Sequence, residues 1–225
     1  MNLAINQPYF FPYIGYFQLI KKVNKFIFLD DVMFIKKGWI NRNNFLLSGK
    51  KKLITLSLKN SSQNKLINQM ELIEDRKNIY KTLKSIEQSY RKAKYFKDIF
   101  PLIESTFNSN SLLSITTMSI IKVCNFLELE TKFDSTSLSY PDVNKVGVER
   151  IMHICMAESC HTYFNLPGGI DLYDSDAFRS NKINLEFIKP RINEYFQFSD
   201  IFIPNLSIID LLMHVDKKII KDMYL

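Results

Sequence analysis

The stretch LDDVMFIKKGWINRN, residues 29–43, gathers two carboxylates, two lysines, an arginine, an indole and two asparagines into fifteen positions. Each type suggests a task. Asp30 or Asp31 can take a proton from an attacking amine or hydroxyl, or bind a sugar hydroxyl. Arg42 presents a planar fork of donors to phosphate or carboxylate, with Lys37 as a second cation. Trp39 offers a face on which a base or sugar stacks, and Asn43 adds a carboxamide beside it. If KFIFLDD (25–31) is a strand, its two terminal acids point to opposite faces, so only one enters the site.

Two other stretches carry comparable chemistry. In NQPYFFPYIGYF (6–17), Pro8 and Pro12 fix the backbone, and Gly15, followed by Tyr16, permits close approach to a ligand. Gln7 supplies both a donor and an acceptor. The rings of this stretch mostly serve as core. No Gly-x-Gly-x-x-Gly or Walker-type lysine is present. A looser parallel is the nucleotidyltransferase opening, with Gly15-Tyr16 where that pattern has Gly-His. In CHTYFNLPGGIDLYD (160–174), the turn at Gly168 and Gly169 exposes backbone N–H groups able to hold an oxyanion or phosphate. His161 is the candidate base there, and Asn165 a binding group. His153 and His214 receive no role.

The elements that must position these groups read as α/β. Residues 3–5, a helix from Tyr13 to Lys22 and a strand from Lys25 make strand, helix, strand within about 28 residues, the opening of a parallel βαβ unit. Ligands of such folds settle beyond the carboxyl ends of the strands, where Asn6, Gln7, Asp30 and Asp31 stand. Further strands are expected at 52–58, after a Ser48-Gly49 turn, and at 67–73, 162–166 and 183–188. Helices are expected at 75–93, 98–108, 112–128, 147–158 and through residues 205–225, with Ser111 and Ser207 as caps. The stretch 134–146 reads as loop. The expected architecture is one Rossmann-like domain over 1–225, a mostly parallel sheet flanked by helices, with a helical portion over about 75–130.

Composition narrows the class. Apolar residues make up 46 % of 225, enough for a full core. No stretch approaches the ~20 apolar residues of a membrane span, and no signal peptide opens the chain, so a cytoplasmic protein without integral membrane association is expected. Cys124, Cys155 and Cys160 are odd in number and lack a Cys-x-x-Cys pair, so free thiols are expected and no metal. Residues 1–100 hold 19 Lys and Arg against 7 Asp and Glu, and residues 101–225 hold 11 against 16. The basic half suits phosphates of a nucleotide, a nucleotide-sugar or RNA; a composition rich in Lys, Asn and Ile accounts equally well for the lysines but not for the arginines.

The chain resembles the WbqC-like proteins along nearly its whole length. The resemblance lies in QPYFFPYIGYF, FLDDVMFIKKGWINRNNF, SYRKAKYF, YFNLPGGIDLYDSDAF and YFQFSDIFIPNLSIIDLLM. Two positions depart from the pattern: Asn6 stands where relatives often have His, and Met33 where a polar residue is common. The resemblance implies a step in O-antigen or other surface-polysaccharide synthesis, with N-acylation or N-aminoacylation (glycylation) of a nucleotide-linked amino sugar as the leading expectation. The donor expected is an aminoacyl-tRNA, an acyl thioester or an ATP-activated acid, with no bound prosthetic group. Nucleotidyl transfer and non-catalytic nucleotide-sugar binding or scaffolding are the alternatives.

Overall fold

The computed structural model describes residues 1–73 and 76–225. Its strands are β1 (Asn2–Asn6), β2 (Lys25–Phe28), β3 (Arg42–Leu47), β4 (Lys50–Thr55), β5 (Lys132–Asp134), β6 (Thr162–Asn165) and β7 (Asn184–Phe187). Five of them form a parallel sheet in the order β5-β2-β1-β6-β7. The chain therefore builds outward from β1 through β2 to β5, then returns to the other side of β1 for β6 and β7. That reversal between β1 and β6 is the topological position where open α/β sheets bind ligands.

The helices are α1 (Ile14–Lys22), α2 (Arg76–Tyr90), α3 (Phe96–Glu104), α4 (Leu112–Phe126), α5 (Gly147–Ala157), α6 (Ser175–Ser180), α7 (Ile208–His214) and α8 (Lys217–Ile219), which runs on into a π-turn, Ile220–Tyr224. They cover both faces of the sheet. Because successive strand side chains alternate, Ala4, Phe26, Phe28 and Phe164 pack into one cluster with residues of α1, α3, α4 and α7. Leu3, Ile5, Ile27 and Tyr163 pack into a second with residues of α5 and α6. Burial on both sides explains why the central strands are near-continuous apolar runs. Each fully buried Phe or Leu contributes about 1.5–3 kcal/mol.

Helix α1 starts right after Pro12 and Tyr13, buries Ile14, Tyr16, Phe17, Leu19 and Ile20, and ends on Lys21 and Lys22, whose charges suit the carboxyl end of the helix dipole. Ser111 caps α4 by accepting from the Ser114 N–H at 3.3 Å. Strands β3 and β4 form a separate antiparallel hairpin. Its two-residue turn, Ser48 (φ 50°) and Gly49 (φ 73°), has both residues in the left-handed region, the geometry that matches strand twist.

Several expectations from sequence require correction. Instead of a strand at 67–73 there is a 3₁₀ turn, Ile67–Gln69. There the Asn68 N–H donates to the Asp30 carbonyl (3.1 Å), and the Gln69 carboxamide accepts from the Leu66 N–H (3.1 Å). The Gln69 bond is local and competes with a ladder, while the Asn68 bond ties the turn to Asp30 beyond the end of β2. The second hairpin strand lies at 50–55 rather than 52–58, and the three-residue β5 lies at the edge of the stretch read as loop. The last helix is broken at Val215 because Asp216 caps a new one, accepting from the Lys218 N–H at 2.8 Å. The start of the second helix at Asp75 lies outside the described residues. Among the described residues no helix is long and apolar enough to cross a membrane.

Candidate functional site

At the reversal point the two neighbouring strands end alike, with Asn-x-Pro. The Asn6 carboxamide at the end of β1 accepts from the Gln7 N–H (2.8 Å), and that of Asn165 at the end of β6 accepts from the Leu166 N–H (2.7 Å). Pro8 and Pro167 follow and direct the chain out of the sheet. Gln7 is half-buried, and its carbonyl accepts from the Tyr16 hydroxyl at 2.8 Å. Tyr16 itself is fully buried, and burial pushes its phenol well above the ordinary range. It is a brace beneath the turn and does not face solvent.

Beyond Pro8 the chain makes a costly move. Phe11 has φ 41°, the left-handed region, in which an aromatic residue costs roughly 1–3 kcal/mol. Contacts from three other elements hold it there. Its N–H donates to Ser119 Oγ of α4 (3.1 Å), and its carbonyl accepts from Asn43 Nδ2 of β3 (2.6 Å) and from Ser207 Oγ at the cap of α7 (2.8 Å). Asn43 also reaches the Phe10 carbonyl at 3.0 Å. Asn43 is thus a clamp on the turn as much as a wall of the site. Phe10 and Phe11 are wholly buried, and beside them lie the half-buried Tyr9 and Tyr13 and the buried Pro12.

These three join Trp39, Asn43 and Asn205 around a cleft of about 230 Å³. Aromatic walls with a few carboxamides are the usual makeup of a small-molecule site. Gly15 has a specific reason to be glycine: a Cβ there would lie 2.5 Å from the Tyr13 ring, so the ring could not keep its place. Trp39 is 45 % exposed, and its carbonyl accepts from the Phe10 N–H at 3.3 Å, tying the indole loop to the aromatic turn.

The loop that carries Trp39 is braced from within. Arg42 Nε donates to the Gly38 carbonyl (2.9 Å), one Nη donates to the Lys37 carbonyl, and the guanidinium lies 6.0 Å from the indole centroid. Lys37 has φ 65° and an exposed side chain. Asn41 fastens the other end, its carbonyl accepting from the Leu56 N–H (2.8 Å) while its carboxamide donates to the Leu56 carbonyl (2.9 Å). The Lys37–Arg42 pair foreseen as a clamp is thus divided: the Lys37 ammonium group is exposed and has no partner among the described residues, and Arg42 is half spent on holding the turn.

The acid pair is placed differently. Asp30 is wholly buried. Its carboxylate accepts from Thr136 Oγ1 (2.9 and 3.0 Å), the Ser137 N–H (2.7 Å), Ser137 Oγ (2.9 Å) and Asn68 Nδ2 (3.2 Å). Asp31 forms a buried ion pair with Arg150 of α5, at 3.0 Å to Nε and 2.8 Å to Nη2, with side chains 3 % and 1 % exposed. Arg150 also donates to the carbonyls of Ser137 (2.5 Å) and Pro141. The two acids lie beyond the end of β2 and do not part to opposite faces: Ser137 Oγ lies 2.9 Å from the Asp30 carboxylate and 2.7 Å from that of Asp31, and neither residue lines the aromatic cleft.

His161 is exposed and precedes β6, where its N–H donates to the Met1 carbonyl (2.9 Å). β6 runs parallel to β1, so His161 stands at the amino ends of the strands, the opposite end of the sheet from Gln7 and Gly168. The structure does not bring it to the other candidates. Asn165 is buried, with Nδ2 bonded to the hydroxyls of Tyr163 (3.2 Å) and Tyr173 (3.1 Å). Gly169 packs on Asn165 and Tyr173, and its N–H goes to the Leu166 carbonyl at 3.1 Å; Gly168 is exposed with open space around it.

Sequence reasoning missed Tyr9, Pro12, Tyr13 and Asn205 as cleft walls, and Thr136, Ser137 and Arg150 as partners of the acids. A lone arginine among the apolar positions of a helix was the available signal for Arg150, since a buried cation demands an anion.

The model of the WbqC-like protein family matches residues 7–222, and the chain belongs to that family. It is also similar to the uncharacterized protein Rv1507c of Mycobacterium tuberculosis (strain ATCC 25618 / H37Rv), 25 % identical over 218 residues, which cover 95 % of this chain and 94 % of that one. No solved structure matches it.

Proposed function

We propose that this protein is an enzyme of surface-polysaccharide synthesis that transfers an acyl or aminoacyl group, glycyl among them, to the amine of a nucleotide-linked amino sugar. The observation that carries the reading is the aromatic cleft of Tyr9, Tyr13 and Trp39 at the carboxyl edge of the first strand, on a turn that also carries Lys36 and Lys37, whose ammonium groups have no partner among the described residues. Stacking faces suit a base or sugar ring, and carboxamides suit hydroxyls. The strand order, reversing next to β1, supports a Rossmann-like reading of the sheet. Family membership supports the pathway.

In the transfer, the sugar amine forms the new N–C bond, the donor's C–O or C–S bond breaks, and the amine proton leaves to a base. Asp30 and Asp31 fit that base poorly, because all their partners are structural. We assign them instead to bracing the loop that presents Trp39. Nucleotidyl transfer would draw on a free carboxylate pair to carry a divalent cation, and this pair is committed to Thr136, Ser137, Asn68 and Arg150.

The test is incubation with amino-sugar nucleotides and three donor types, aminoacyl-tRNA, acyl thioester and acid plus ATP, read by mass spectrometry. A gain of one acyl or glycyl unit is expected with one donor. Stoichiometric binding without any mass gain would make the protein a nucleotide-sugar carrier, and release of pyrophosphate from a sugar phosphate and a nucleotide would make it a nucleotidyltransferase.

A further inference from the structure

The braced turn that walls the aromatic cleft also borders a second, open basin of about 230 Å³. Lys36, Lys37 and Arg42 line it, together with the hydroxyl-bearing Thr55, Ser57 and Ser61. That volume is about seven or eight waters at ~30 Å³ each, room for a phosphate or diphosphate group. Neither the Lys36 nor the Lys37 ammonium group has a hydrogen-bond or ion-pair partner among the described residues. Arg42 spends two donors on the neutral carbonyls of Gly38 and Lys37, so its charge is uncompensated. No carboxylate lines the basin among the described residues. Three cations and three hydroxyls around one hollow are complementary to phosphate oxygens.

The turn between the two hollows is fixed before any ligand arrives. Trp39 is bonded to Phe10 on one side, and Asn41 is bonded twice to Leu56 on the other. Its short span, Lys36 to Arg42, places a stacking ring and free ammonium groups within one ligand's length.

We propose that the basin holds the diphosphate of the same ligand whose ring lies against Trp39, so that one nucleoside diphosphate unit straddles the turn. The ring half of this assignment rests on the nucleotide-sugar reading above, and the phosphate half on the basin itself. Lys36 and Lys37 bind phosphate; Arg42 is chiefly a positioning residue that holds their loop.

Trp39 is the sole tryptophan, so intrinsic fluorescence reports on the turn directly. The intact protein would be titrated with UDP, dTDP, ADP, GDP and CDP, the matching nucleosides, and pyrophosphate, with calorimetry in parallel. At least one diphosphate is expected to bind tenfold or more tightly than its nucleoside and to quench Trp39. The double variant Lys36→Ala/Lys37→Ala should erase that preference while leaving nucleoside affinity and the urea midpoint unchanged. A variant that keeps the wild-type preference overturns the proposal, as does pyrophosphate binding with no response to any nucleotide. The two readings fail separately. Lysine-dependent diphosphate binding without acyl transfer leaves the basin assigned and removes the transferase. Acyl transfer that survives the double variant with unchanged KM does the reverse.

Discussion

Residues 30–31 and 36–42 belong to one charged stretch, yet the fold treats its two parts oppositely. Asp30 is buried and the Asp31 side chain is 3 % exposed, and their oxygens are taken by Thr136, Ser137, Asn68 and Arg150. Lys36 and Lys37, a few positions on, are exposed, their ammonium groups without partners among the described residues, and Trp39 is 45 % exposed. A charge whose partners are all internal is set in place by folding. A charge without partners keeps its capacity to bind. The difference separates the groups that hold the loop from the groups that can meet a ligand.

The sharpest way to break this comparison is to remove a partner from the buried half. Arg150→Ala leaves Asp31 charged at 3 % side-chain exposure, and breaking a buried pair in this way costs about 3–5 kcal/mol. The urea midpoint should fall accordingly. The double variant Asp31→Leu/Arg150→Met should recover most of that loss, because replacing both partners by apolar groups removes the uncompensated charge. If Arg150→Ala instead left stability intact and abolished only turnover, Asp31 and Arg150 would belong to the chemistry and the division drawn here would be wrong.

The exposed half should show the opposite pattern. Trp39→Ala removes a stacking face from the cleft, worth about 1–3 kcal/mol of ligand affinity by analogy with base stacking, while the urea midpoint stays within about 0.5 kcal/mol of wild type. Arg42→Lys should fall between the two. A lysine cannot donate to the Gly38 and Lys37 carbonyls in a fixed fork, so the turn loosens and KM rises more than stability drops. Calorimetric affinities beside chemical denaturation would place each variant on one side or the other.

How much of this was legible from sequence follows the same divide. The parallel strands and most helices showed in their apolar spacing, since burial on both faces leaves a periodic mark. The Ser48-Gly49 turn showed because left-handed residues are chemically distinctive. The strand order did not, because nothing in β6 names its neighbour. The acid pair was visible as chemistry, but its burial depended on Ser137 and Arg150, more than a hundred positions away. His161 failed for a simpler reason: a residue at the start of a strand and one at its end look alike in sequence and stand at opposite edges of the sheet. The strained Phe11 was unreadable, because the residues that hold it come from three other elements.

A third buried acid tests whether the contrast lies in burial or in the partner's charge. Asp210 of α7 is buried like Asp31's carboxylate but, unlike it, accepts only from neutral donors among the described residues: the hydroxyls of Tyr90 (2.9 Å) and Tyr195 (2.8 Å) and the carboxamide of Gln197 (3.0 Å). Burial dominates and raises its pKa above the ordinary 3.8, against opposing contributions from His214 and those three donors. The folded state therefore holds the proton more tightly than the unfolded chain, so between 3.8 and the raised value the native protein binds more protons. Stability from this group is fully present below 3.8 and is lost as pH rises through the raised value. Asp210→Asn removes the titration, so between pH 4 and 7 its urea midpoint should lack the Asp210 part of the decline seen in wild type. The expected difference is the smallest of the set, because the three donors offset much of the burial. A variant whose midpoint follows the wild-type pH dependence throughout would show that neutral donors compensate a buried carboxylate here as fully as Arg150 does, and partner charge would no longer distinguish the two sites.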